Sequence, residues 1–188
     1  MLTANQNPQQ KTYTFNEHKH RYAVWTAARA QRAFVKNEKI CEAIEKTSLR
    51  NFAETITTIN QSEFDHQHKE WCHDIIEFFG EKECKYGRAA KIVAIYLKTA
   101  VILPAQGISP LCNVIHPPID SIFLHNIAEK TKLKNLAKLR WTNLKEEAYW
   151  TLVVTLRKEF NDCNWLLEYY WNIAAEDLEQ KEELLQAS

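Results

Sequence analysis

The chain has 188 residues, 45% of them apolar and 26% charged, with a net charge of zero. That is the profile of a globular protein large enough to bury a real core. Only 3 glycines argue against a β-rich fold with many tight turns and against a glycine-rich phosphate loop. The five cysteines, at positions 41, 72, 84, 112 and 163, are odd in number, far apart and without a CxxC pair. This argues against a disulfide framework, a zinc finger or a compact iron–sulfur loop, and fits a reduced intracellular protein.

In chain order, residues 1–14 are polar and hold no apolar core of signal-peptide length. No apolar run reaches the roughly 18 residues a membrane span requires. Residues 15–188 read as a single all-α domain of about eight helices, with two lobes and a cleft. From Asn16 the pattern turns helical, and alanines at 23, 27, 28, 30 and 33 favour a helix strongly. "ICEAIEKT" and "NFAETITTINQ" read as two further short helices. "SEFDHQHKEWCHDIIEFFGE" places Ser62 at an N-cap and Gly80 at a C-cap, with Phe64, His68, Trp71, Ile75, Phe78 and Phe79 as its apolar stripe.

"YGRAAKIVAIYLKTAVIL", residues 86–103, is the longest apolar helix, and Pro104 ends it. A loop with Pro110, Pro117 and Pro118 leads to Asp120, which stands at the start of the next helix, "SIFLHNIA". "NLKEEAYWTLVVTLRKEF" predicts a helix with Asn143 and Glu146 as a capping box. "NWLLEYYWNIAAEDLEQKEELLQ" predicts the last helix. No repeat and no alternating strand pattern is visible.

The neutral total hides an uneven charge distribution. Residues 18–39 and 130–145 are basic, and the tail from residue 174 is acidic. Charges more than about 10 Å apart are screened from one another in salt, so a basic face can still meet phosphates. Arg21, Arg29, Arg32, Arg88, Lys98, Lys132 and Lys134 are the candidates for nucleic-acid contact. Basic residues interleaved with Tyr22 and Trp25 suit phosphate contact plus base stacking; a solvated helix face with Trp25 in the core is the other reading. His68 and Cys72, four apart, share a helix face as a metal pair would. No third or fourth ligand is evident, so no metal is assigned. Cys72 with His68 as a nucleophilic pair lacks a third, orienting group.

Lys91 and Lys98 lie two turns apart on a mostly apolar helix. Such lysines can simply extend to water, and Asp120 can simply cap its helix, which is worth roughly 1 kcal/mol. Together they suggest chemistry. Loss of hydration beside an apolar wall favours a neutral, nucleophilic amine. A carboxylate across a cleft can stabilise a positively charged sugar and help move protons.

"AKIVAIYLKTA" followed by "HPPIDSIFLHNIA" resembles the lysine helix and aspartate turn of the helix-hairpin-helix DNA glycosylase superfamily, most nearly its archaeal-type 8-oxoguanine DNA glycosylase/lyases. The resemblance spans about residues 86–128. It implies Lys91 as the Schiff-base lysine, Asp120 as the catalytic aspartate and Lys98 as the second lysine and rival nucleophile. The family hairpin has two glycines just before the lysine; this chain has only Gly87, four residues ahead, and Ile119 where valine is common. The implied partner is duplex DNA holding a damaged or modified base, which is flipped out because its sugar C1′ is inaccessible in the stack. No cofactor or metal is implied. The implied location is cytoplasmic, on the nucleoid in a bacterial or phage setting. Trp25, His116 and aromatics of "WLLEYYW" are the candidates for a base pocket. The competing class is a non-catalytic helical module that binds protein or nucleic acid.

Overall fold

The structure, a computed structural model, describes residues 13–31 and 35–171. Among them there is no strand. Seven α-helices and five short 3₁₀ or π turns make an all-α fold. The helices are α1 (Phe15–Arg29), α2 (Asn37–Glu45), α3 (Leu49–Thr55), α4 (Gln61–Phe79), α5 (Tyr86–Leu97), α6 (Ser121–Lys130) and α7 (Glu146–Phe160).

α5 is the axis of the molecule. All but two of its twelve residues are buried, as expected of a helix apolar on every side. α1 and α4 pack along it. α1 does so through Ala23, Ala27 and Ala28, small residues that let two helix backbones approach closely. Its Trp25 points outward, 48% exposed and stacked on Tyr22. The reading with Trp25 in the core therefore fails, because alanines fill the inner face of α1. The core is one contiguous cluster running from Ala23 to Leu167, so the expected division into two lobes is not marked by a break in packing.

Several expected boundaries move. α4 starts behind Asn60, which forms a capping box with Glu63, so Ser62 lies inside the helix. Asn60 wins because its carboxamide accepts the Glu63 N–H while the Glu63 carboxylate accepts the Asn60 N–H. Gly80 does end α4, with φ of +84°. The helix of residues 86–103 is α-helical only to Leu97. It then widens to a π turn, Lys98–Ile102, in which the Leu103 N–H bonds the Lys98 carbonyl. The Asn143–Glu146 capping box does not form. Asn143 closes a 3₁₀ turn, Trp141–Asn143, and α7 begins after Lys145 with no side-chain cap. The last predicted helix shows only a 3₁₀ turn, Trp165–Tyr170, started by the Asn164 side chain; the remainder of that prediction falls outside the described residues.

A polar network crosses the core where α4 and α7 meet the proline turn. Arg157 donates to both oxygens of Asp65, at 2.7 Å each. His116 contacts Arg157 at 3.1 Å and the Tyr149 hydroxyl at 3.0 Å. His68 lies between the hydroxyls of Tyr149 and Tyr86, at 3.4 Å from each. Burial alone would raise the Asp65 carboxyl, but hydrogen bonds from His116, Arg157 and Gln61 outweigh it and hold the group well below the usual carboxylate range. A carboxyl depressed in the folded state stabilises above its unfolded value and loses that contribution as the pH falls through the folded one. Asp65→Asn should therefore cost roughly 3 kcal/mol at neutral pH by stranding Arg157. Denaturant unfolding at stepped pH should show the gap to wild type narrowing below about pH 4; a gap independent of pH would rule this account out.

Candidate active site

The proline-braced turn delivers Asp120 to the N-terminus of α6. Pro117 and Pro118 cannot extend a helix backwards, and Asp120 takes an extended conformation from which its Oδ1 accepts the Phe123 N–H at 3.0 Å. The cap leaves the other oxygen for longer-range partners. Lys91 Nζ, from the middle of α5, donates to Asp120 Oδ2 at 3.1 Å. The indole Nε1 of Trp171 donates to the same oxygen at 3.0 Å. Three parts of the chain far apart in sequence thus converge on one carboxylate.

Both members of the pair are buried, each 8% exposed, yet both line a cavity of about 200 Å³. Gln31, Arg88, Ser121 and Trp141 also line it. The Trp141 ring lies 4.5 Å from Lys91 Nζ and 5.8 Å from the Arg88 guanidinium, within reach of cation–π attraction. The amide oxygen and nitrogen of Gln31 are buried without a hydrogen-bond partner. An unmet polar group of this kind costs about 1–3 kcal/mol and calls for an explanation.

Gly87 fixes the Trp141 wall. A Cβ at Gly87 would stand 2.0 Å from the Trp141 carbonyl oxygen, so only glycine lets that turn rest on α5. The Gly87 N–H then bonds the Leu144 carbonyl at 3.0 Å. Gly87 is one helical turn ahead of Lys91, so the contact that seats Trp141 also sets the roof over the amine.

Lys98 takes a different place. Its Nζ pairs with Glu168, and it lines a second cavity, of about 270 Å³, with Ile102 and Trp165. Burial raises the Glu168 carboxyl, although Lys98 opposes the shift. Trp171 joins the two regions: its ring lies 5.6 Å from Lys98 Nζ while its nitrogen serves Asp120. Lys98 does not reach Asp120 as a second contact.

The other sequence candidates are dispersed. His116 is 1% exposed and locked into the network with Tyr149, Asp65 and Arg157, so it does not line the cavity. Trp25 lines a separate cavity with His20 and Cys41. Arg21 is exposed, paired with Glu17 at 2.6 Å and set over Tyr13. Arg29 is exposed at the end of α1, and Arg32 lies outside the described residues. Lys132 and Lys134 are exposed on the segment that joins α6 to the Trp141 turn, and Lys134 Nζ donates to the Glu129 carbonyl at 3.1 Å. His68 and Cys72 do face each other, at 3.7 Å. They are enclosed in the core, where burial lowers the imidazole and raises the thiol.

Sequence reasoning missed Gln31, Trp141 and the role of Trp171. Gly87 was the available signal for Trp141, since a glycine in a helix implies close approach of another backbone. Comparison with family models, curated proteins and solved structures finds no match. No described helix is long and apolar enough to cross a membrane.

The role of Gly87 is directly testable. Gly87→Ala should lower unfolding stability by about 1–3 kcal/mol, the usual cost of overpacking, although alanine is the better helix former. It should also alter Trp141 fluorescence. A stabilised variant would show that the Trp141 turn does not press on α5.

Proposed function

We propose that the chain is a DNA glycosylase with abasic-site lyase activity, acting on a damaged or modified base of the 8-oxoguanine kind. The observation that carries the reading is the Lys91–Asp120 contact of 3.1 Å at the wall of a cavity with an unmet amide. Two residues singled out from sequence 29 positions apart meet where the reaction needs an amine beside a carboxylate.

The steps assign a task to each group. A nucleotide leaves the stack, and its base enters beside Trp141 and Gln31. The Gln31 amide offers an NH₂ donor group beside a carbonyl acceptor, which suits the edge of a purine. The Lys91 ammonium gives up a proton, through Asp120, to the departing base. Its nitrogen forms a bond to C1′ as the bond from C1′ to the base breaks. The ionised Asp120 offsets the positive charge that builds on the sugar. Ring opening yields a Schiff base between Lys91 and C1′, and loss of a C2′ proton then expels the 3′ phosphate. The cavity is smaller than the ~300–1,000 Å³ of sites for drug-sized ligands, in keeping with one ring system rather than an extended ligand. Arg88 at the cavity and the exposed Lys132 and Lys134 on the adjoining segment supply positive charge for flanking phosphates.

Borohydride trapping on oligonucleotides holding 8-oxoguanine or an abasic site tests the reading. Wild type should give a covalent adduct with both, Lys91→Gln with neither, and Lys98→Gln with both. Gln31→Ala should lose the 8-oxoguanine adduct by at least tenfold and keep the abasic one. Base release and trapping absent over a panel of lesions would overturn it. The contact would then be a buried structural ion pair in a non-catalytic helical binding module, a reading favoured by how completely Asp120 is already hydrogen-bonded.

A further inference from the structure

Where α1 meets α2, beside the contact of His20 with Tyr96 of α5, stands a second cluster of reactive side chains that the proposed chemistry does not use. His20 of α1 and Cys41 and Glu45 of α2 bring one ligand atom each to within 4.8 Å of one another. Cys41 and Glu45 are four apart on one helix, so both side chains share a face, and that face looks at His20. His20 Nε2 lies 2.7 Å from Glu45 Oε1. We propose that His20, Cys41 and Glu45 form a zinc site with an open fourth position.

The donor set suits the ion. One imidazole, one thiolate and one carboxylate are ordinary zinc ligands, and three protein ligands plus an open position is the arrangement of reactive rather than purely structural sites. At the usual bond lengths, tetrahedral ligand atoms stand about 3.3–3.8 Å apart. The His20–Glu45 pair must open slightly, and since no separation exceeds 4.8 Å the others need close by no more than about 1.5 Å, within reach of side-chain rotation on fixed helices. Cys41 and Glu45 are both partly exposed, so an ion has a way in.

His20 is supported from behind. Its Nδ1 lies 2.9 Å from the Tyr96 hydroxyl of α5. A ligating histidine needs its other nitrogen held, and a hydroxyl both donates and accepts. Without metal, Nε2–H can donate to Glu45 while Nδ1 accepts from Tyr96. With metal, the proton moves to Nδ1 and is donated to Tyr96, leaving Nε2 for zinc. Binding releases the Cys41 thiol proton to solvent and consumes no oxidant or reductant.

The charge balance is favourable. Among the described residues Arg50 is the one guanidinium or ammonium paired with Glu45, at 3.5 Å, and it is shared with Glu17 and Glu54. Arg21 also pairs with Glu17 and lines the adjoining cavity, so three carboxylates face two guanidinium groups and the surround keeps a net negative charge for a divalent cation. The fourth position has room. His20 and Cys41 line a cavity of about 220 Å³ together with Trp25, Asn37 and Glu38, where water or one small donor ligand can complete the tetrahedron.

The test uses the full chain, stripped of metal by a chelator and titrated with Zn²⁺ against a chromophoric competitor and with Co²⁺ by absorption. One equivalent should bind in the micromolar range or tighter, raise the thermal midpoint, and give with cobalt the charge-transfer band of a single thiolate. Cys41→Ser should abolish that band and weaken zinc binding by about 100-fold or more, and Tyr96→Phe by about 10–100-fold, the range for loss of an outer partner. Glu45→Gln, at a half-exposed position, is the second probe should Cys41→Ser fold poorly, and it should also weaken zinc binding. Zinc binding unchanged by Cys41→Ser or Glu45→Gln, or the absence of saturable one-to-one binding, would overturn the proposal.

Discussion

The carboxylate of Asp120 is the point on which the site depends. It caps α6, holds the amine of Lys91 and accepts the indole of Trp171, so one side chain ties two distant stretches of chain to the central helix. A buried charge is tolerable only when it is paired and hydrogen-bonded. Each of the three donors therefore needs the others in place. The cost of burying the acid is offset by a cap, an ion pair and a ring N–H together, and removing any one raises the burden on the rest.

The surroundings of this pair are built from rigid parts. α5 is enclosed by α1 and α4, and its alanines and single glycine let neighbours lie close against it. Trp141 is seated through its backbone on Gly87, and Trp171 is anchored by its own nitrogen and by the Asn126 side chain, which donates to the Tyr170 carbonyl at 2.8 Å. The Trp141 wall is thus placed by main-chain contacts more than by loose side-chain packing. Such placement keeps a small cavity open beside a buried amine without collapse.

Much of this was legible from residue order. The proline pair and aspartate predict a helix start at residue 121, whereas the apolar surround of Lys91 leaves both a buried amine and one that extends to water open. Periodicity carries no signal that the two side chains meet; their contact is read from the structure. Helix boundaries were less legible where two capping residues competed, as with Asn60 and Ser62. The 130–145 segment reads as basic and its 3₁₀ turns are less legible, because Leu133, Leu136 and Leu139, three apart and packed on the core, make too short a run to stand out from a charged stretch. The Asp65–His116–Arg157 network was invisible for a related reason. Its members come from α4, the proline turn and α7, and polar partners distant in sequence leave no spacing signal.

The two indoles at the site have one further consequence. The Trp141 ring faces a lysine ammonium and Trp171 donates to the carboxylate that ammonium serves. Indole emission responds to a charge beside the ring and to the state of its N–H. Any event that moves the proton between these two side chains, or replaces the amine with a neutral adduct, changes the field at both rings at once. The molecule thus carries a built-in optical gauge of its own ionisation.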